Sequence, residues 1–275
     1  MIQDKRIAFS SYLTQLLSTG RVVFSRDEAR LALGVSQGAF LDAAERQQRK
    51  QHLVSLRRGL YVIVPPQYLA WGAPPPPWYI DDLMRHESRP YYVGLLKAAE
   101  LHGDTHQAVM EFQVVTDKRL PEIRAGRSAI TFHYRKDMGA VSEGIEDRKT
   151  DTGRMKVSSI ELTLLDLVRY PRAAGGLDNI ATIISDLGDR VDAQKLADRS
   201  AAFERSVLQR LGYLLERFAQ PERAQALHAA LPHGSPLPWI ELERSQAADP
   251  ESAPEPKERD ERWHVIVRRL PERDE

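Results

Sequence analysis

Residues Ser25 to Val64 read SRDEARLALGVSQGAFLDAAERQQRKQHLVSLRRGLYVIV. Ser25 followed three residues on by Glu28 is a capping box, in which each side chain satisfies a backbone N–H left free at a helix start. Ala29, Ala32 and Leu33 then give that helix one apolar face. Gly34 ends it, since glycine takes the left-handed conformation without a Cβ penalty. Val35 fills the turn, and Ser36 caps a second helix from about Gln37 to Arg49, with Phe40, Ala43 and Ala44 facing inward. Two short strands follow, Leu53–Leu56 and Leu60–Val64, joined across Arg57-Arg58-Gly59. Helix, tight turn, helix and a hairpin with arginines at its tip is the order of a winged helix-turn-helix.

In such a unit the second helix enters the major groove and its first residues meet base edges. Here those are Ser36 and Gln37, and glutamine pairs with both N6 and N7 of adenine. Arg46 and Arg49 are placed for phosphates, and Arg57 and Arg58 for phosphates or the minor groove. Residues 1–60 hold ten Lys/Arg against five Asp/Glu, in a chain whose formal net charge is zero. A local excess of this kind is the footprint of a nucleic-acid module. Modules of this shape also dock proteins, and a charge run is often a solvated face. Docking without a DNA target therefore stands as an alternative.

The length, 275 residues, leaves room for about two domains, and a hydrophobic content of 42% suffices for real cores. No run of eighteen apolar residues marks a membrane span, and the N-terminus lacks the apolar core and cleavage site of a signal peptide. Cysteine is absent, which excludes disulfides and cysteine-ligated metals and suits a cytoplasmic location.

Around the opening stretch the pattern predicts a mixed α+β chain: a winged helix over 1–66, a proline-rich linker over 67–78 and a second domain over 79–275. Ile7–Leu17 is a first helix. Pro74–Pro77 is extended, with Trp71 and Trp78 clamping it. Asp81–Glu87 and Leu95–His102 are short helices, and Glu111–Thr116, Ile130–Tyr134 and Met155–Val157 are strands. Asp137–Asp151 reads as a loop. Ser158 and Glu161 form a second capping box opening a helix that ends at Pro171. Leu177–Leu187, Ala193–Ser200, Ala202–Phe218 and Glu222–Leu231 follow as helices. Residues 244–262, charged and proline-bearing, read as a flexible loop. Trp263–Val267 is a last strand, pairing with those of the second domain.

Four stretches, YYVGLLKAAELHG (91–103), FQVVTDK (112–118), IELTLLDLVRYPRAAGG (160–176) and WHVIV (263–267), follow a winged helix with an RRGLYVI hairpin. In that order they resemble the AbiEi antitoxins of bacterial type IV toxin–antitoxin systems, known from phage defence. The resemblance implies an N-terminal domain that binds double-stranded DNA upstream of its own operon and represses it. It also implies a C-terminal domain that counters a nucleotidyltransferase-like toxin, with direct contact left open. Related sequences often carry glycine where this chain has Gln51, and asparagine where it has Arg268.

The remaining chemistry-bearing residues point away from catalysis. In His102-Gly103-Asp104-Thr105-His106 the glycine breaks the helix, so the histidines do not share a face as zinc ligands on a helix do. Glu111 and Asp117 flank a strand without the Glu-x-Lys pair of a nuclease, and there is no phosphate loop or nucleophile elbow. Asp166 interrupts an apolar helix, and a buried acid requires a partner, for which Arg135 and Lys156 are candidates. Tyr92, Lys97, Glu161 and Asp166 are carried as antitoxin-surface candidates from the resembling segments. No catalytic residue, metal or cofactor is expected, and a cryptic nucleic-acid-acting enzyme is the least favoured alternative.

Overall fold

The computed structural model describes residues 8–103, 110–219, 221–231, 236–243 and 255–272. The chain is mixed α+β. It opens with α1 (Phe9–Ser18), β1 (Val23–Ser25), α2 (Arg26–Leu33) and α3 (Gln37–Arg49), then the hairpin β2 (Leu53–Arg57) and β3 (Leu60–Ile63). β3 lies between β1 and β2 and is antiparallel to both. One apolar core joins these elements, with Leu13 and Leu16 of α1 and Phe24 of β1 packed beside Ala29 and Leu33 of α2, Phe40 of α3 and Tyr61 of β3. Phe24 stacks on Tyr61, and Phe40 meets Tyr61 edge-on.

Next come α4 (Ile80–His86), β4 (Tyr91–Val93), α5 (Leu95–Leu101), β5 (Glu111–Thr116), β6 (Ile123–Ala125), β7 (Ser128–Tyr134), β8 (Ile145–Thr150) and β9 (Gly153–Ser158). Their strands form a sheet in the order β6-β7-β5-β4-β9-β8. β5 and β7 run parallel, in register from Glu111 opposite Ala129 to Thr116 opposite Tyr134. The last part holds α6 (Ile160–Arg169), α7 (Leu177–Leu187), α8 (Ala193–Ser200), α9 (Arg205–Phe218) and α10 (Pro221–Ala229). It closes with a small sheet of β10 (Ile240–Glu241), β11 (Glu258–Asp260) and β12 (Val265–Val267). The chain divides into two compact units. One comprises Met1–Tyr92, Met110–Lys136 and Asp147–Lys156, and the other Val93–Val109, Asp137–Glu146 and Val157–Glu275.

Asp137–Asp151 is not a loop: a 3-10 turn over Gly139–Gly144 leads into β8. Pro76 and Pro77 are not extended but open a 3-10 turn that ends at Trp78, which proline's fixed φ suits at a helical first turn. Trp78 does clamp its segment, donating from Nε1 to Asp151 Oδ2 at 2.9 Å. Trp71 remains 56% exposed. The helix cap at α6 is Ser159, not Ser158, and its Oγ accepts from Leu162 N. β12 joins β10 and β11 rather than the strands of the large sheet. Of the stretch 244–262, residues 258–260 are strand β11, while 244–254 lie outside the described residues.

What ties the C-terminal segment back is Trp263. Its ring is fully buried against Gly212 of α9, where an added Cβ would sit 2.1 Å from the ring. Its indole Nε1 donates to Glu216 Oε2 at 2.8 Å, and its backbone N–H donates to Asp260 Oδ1 at 2.7 Å.

Candidate functional site

The local chemistry of the helix-turn-helix is as the sequence dictates. Ser25 Oγ accepts from Glu28 N at 3.1 Å, while Ser25 N donates to Glu28 Oε2 at 3.5 Å. Gly34 closes α2 with φ 62°, and Ser36 Oγ accepts from Ala39 N at 3.3 Å to open α3. Ser36 and Gln37 are exposed at that N-terminus. Ser36 Oγ spends one lone pair on the cap and keeps its hydroxyl proton and a second lone pair for a ligand.

Phe40 and Ala44 are the buried side of α3. At 3.6 residues per turn the opposite side carries Gly38, Asp42, Glu45 and Arg49. Two carboxylates therefore stand on the outward face, and Arg49 Nη2 lies 2.6 Å from Glu45 Oε1. Arg46 is exposed and makes no ion pair among the described residues.

The two hairpin arginines part company. Arg58 is exposed. Arg57 turns inward: Nε lies 2.8 Å from Glu87 Oε1, Nη2 donates to the Pro121 carbonyl at 2.8 Å, and the guanidinium lies 5.8 Å from the centre of the Phe132 ring. Of the four arginines named from the sequence, Arg46 and Arg58 are thus exposed and Arg49 is exposed but partly neutralised, while Lys50 beside Arg49 is exposed as well.

The candidates of the second region are mostly interior. Tyr92 and Asp166 have no exposed surface, and Glu161 has 5%. A surface role is closed to these three side chains. Glu161 instead links two helix starts: Oε2 accepts from Ser159 Oγ at 2.8 Å and Oε1 from the Asp192 backbone N–H at 3.1 Å, with Arg199 Nη1 3.9 Å away. Lys97 is half-buried and pairs with Glu100 at 2.7 Å. Of the proposed partners of Asp166, Lys156 lies 3.5 Å from Asp147 and Arg135 is buried.

His102 Nε2 lies 2.7 Å from the Ser158 carbonyl, while Asp104, Thr105 and His106 lie outside the described residues. Asp117 faces Arg89 at 3.7 Å. Sequence reasoning missed Glu87, because no local pattern announces a partner 30 residues from Arg57.

No curated protein matches the chain significantly. Among solved structures it is similar to the crystal structure of the RV2827C protein from Mycobacterium tuberculosis, with a TM-score of 0.69 at 17% identity, covering 94% of this chain and 90% of that one. At that identity the likeness speaks for the fold alone. Residues 92–217 match the model of the AbiEi antitoxin C-terminal domain, the segment that holds α5 to α9 with most of the large sheet. That match supports placing residues 92–217 with the AbiEi antitoxin C-terminal domains.

Proposed function

We propose that this chain is the cytoplasmic antitoxin of a type IV toxin–antitoxin pair. It counters a nucleotidyltransferase-like toxin through residues 79–275, and it represses its own operon by binding DNA through residues 1–66. It does so without catalysing a reaction. The observation that carries the antitoxin half is the family match over residues 92–217. The DNA half is supported by the capped, exposed N-terminus of α3 and by the solvent-facing Arg46 and Arg58. Gln37 then reads a base edge while the arginines hold phosphates. Co-expression with a nucleotidyltransferase-like gene from the same operon tests the first half. Restored growth supports it, and growth arrest in the presence of folded full-length chain sinks it.

A second reading, protein docking by the same module, is favoured by one specific feature. Asp42 and Glu45 occupy the outward face of α3, Leu41 of the same helix is 44% exposed, and Leu31 of α2 is 86% exposed. Carboxylates in that position repel phosphates, and exposed leucines suit a protein partner. Salt-independent binding to DNA, or none, is what this alternative requires.

A further inference from the structure

We infer that Arg57 and Glu87 form a strut that positions the β2–β3 hairpin, and that Arg57 is not itself a DNA contact. This rests on the DNA-binding reading proposed above and refines it. The strut begins in the backbone. The pairing of β2 with β3 slips between Ser55 and Arg57, and Ser55 Oγ donates to the Arg57 carbonyl at 3.2 Å. A bulge re-aims the side chain it carries. Here it sends Arg57 away from the hairpin tip, toward Glu87 and Pro121.

Three contacts then hold the guanidinium. Nε lies 2.8 Å from Glu87 Oε1, Nη2 donates to the Pro121 carbonyl at 2.8 Å, and the ring of Phe132 lies beneath. The pair is largely withdrawn from water, with side-chain exposures of 19% for Arg57 and 14% for Glu87. Glu87 stands at the C-terminal cap of α4, where the helix dipole disfavours a carboxylate. Arg57 offsets that dipole as well as the charge. Moving Arg57 onto a phosphate would strand Glu87 in a part-buried site, and breaking such a pair costs more than the new surface contact returns.

Pro121 leads directly into β6, which packs beside β2. The strut therefore fixes the hairpin to the edge of the sheet, within the same compact unit. Arg58, next in the chain, is left at the tip with its charge unspent. In this arrangement Arg57 and Glu87 are positioning residues, and Arg58 is the phosphate ligand.

The full-length chain tests this with two readouts. Amide exchange at Leu56–Leu60 speeds by on the order of tenfold in both Arg57→Ala and Glu87→Ala. The double variant exchanges no faster than either single, because one interaction is lost in all three. Binding is measured against the duplex immediately upstream of this gene and a scrambled duplex of equal composition. The preference for the upstream duplex falls in both single variants. The slope of log affinity against log salt stays at the wild-type value in Arg57→Ala, but becomes shallower by about 0.9 in Arg58→Ala.

Unchanged exchange in Glu87→Ala overturns the strut. A slope made shallower by Arg57→Ala makes Arg57 a DNA ligand and overturns its positioning role. A wild type with no preference for the upstream duplex overturns the DNA reading, and with it this use of the strut. That outcome is distinct from the first, because exchange is read without DNA.

Discussion

Gln51 has φ 60°, in the left-handed region where a side chain is strained. Its N–H donates to the Gln48 carbonyl at 2.8 Å, and that of His52 donates to the Gln47 carbonyl at 3.0 Å. This pair of bonds is a Schellman closure of α3, with Gln51 at the position that glycine usually fills. Gln51→Gly should stabilise the chain by about 1 kcal/mol, seen as a higher denaturant midpoint. A lower midpoint would contradict the assignment. Arg268, the other departure from related sequences, lies 2.9 Å from Glu241 Oε1 through Nη2, so it ties β12 to β10. At Gly212 the order of effects reverses. Gly212→Ala should cost roughly 1–3 kcal/mol through overpacking, since the ring of Trp263 fills the space. Denaturation followed by tryptophan emission measures it, and an unchanged midpoint would mean that the ring moves freely. Ser25, Gly34 and Ser36 were legible because each acts on residues three or four away. Arg57 was legible as a cation but not as a strut, because Glu87 and Pro121 reach it only through the fold.

Among the elements, α7 and α8 fall where apolar periodicity places them, over Leu177–Leu187 and Ala193–Ser200. The strands were harder. β1 spans three residues, too few to show alternation. β8 carries Glu146, Asp147, Arg148 and Lys149 at the end of its sheet. Charges there prevent edge-to-edge pairing, and they erase the apolar signal that would have disclosed the strand. The start of α8 makes a prediction of its own. Asp192 Oδ1 accepts from Gln194 N at 3.0 Å and Lys195 N at 3.1 Å. The Lys195 N–H, chiefly, holds the carboxyl below its ordinary pKa of 3.8. A depressed acid contributes stability that is fully present above its unfolded value and is lost as pH falls through the folded one. The melting-temperature advantage of wild type over Asp192→Ala should therefore be constant above about pH 5 and shrink below pH 3.8. An advantage that does not change with pH would exclude the charged cap.

At the scale of the molecule, the likeness to the AbiEi antitoxin C-terminal domain lies in residues 92–217, whose apolar helices and order of segments were readable in the chain. Its candidate surface was not readable. Tyr92, Glu161 and Asp166 lie in the interior, because residues that mark a resemblance often mark packing rather than contact. The end proposed to meet DNA was half legible: the cap and the cations could be named, but the carboxylates on the outer face of α3 become apparent only once Phe40 and Ala44 are known to face inward. The proposed function turns on whether this module reads DNA. A salt titration of the full-length chain on the duplex upstream of its gene, against a scrambled duplex, tests that directly. The expected result is tighter binding to the upstream duplex, affinity that falls as salt rises, and a slope shallower by about 0.9 in Arg58→Ala. Equal affinity for both duplexes, with no change in Arg58→Ala, would contradict it and leave the module to a protein partner.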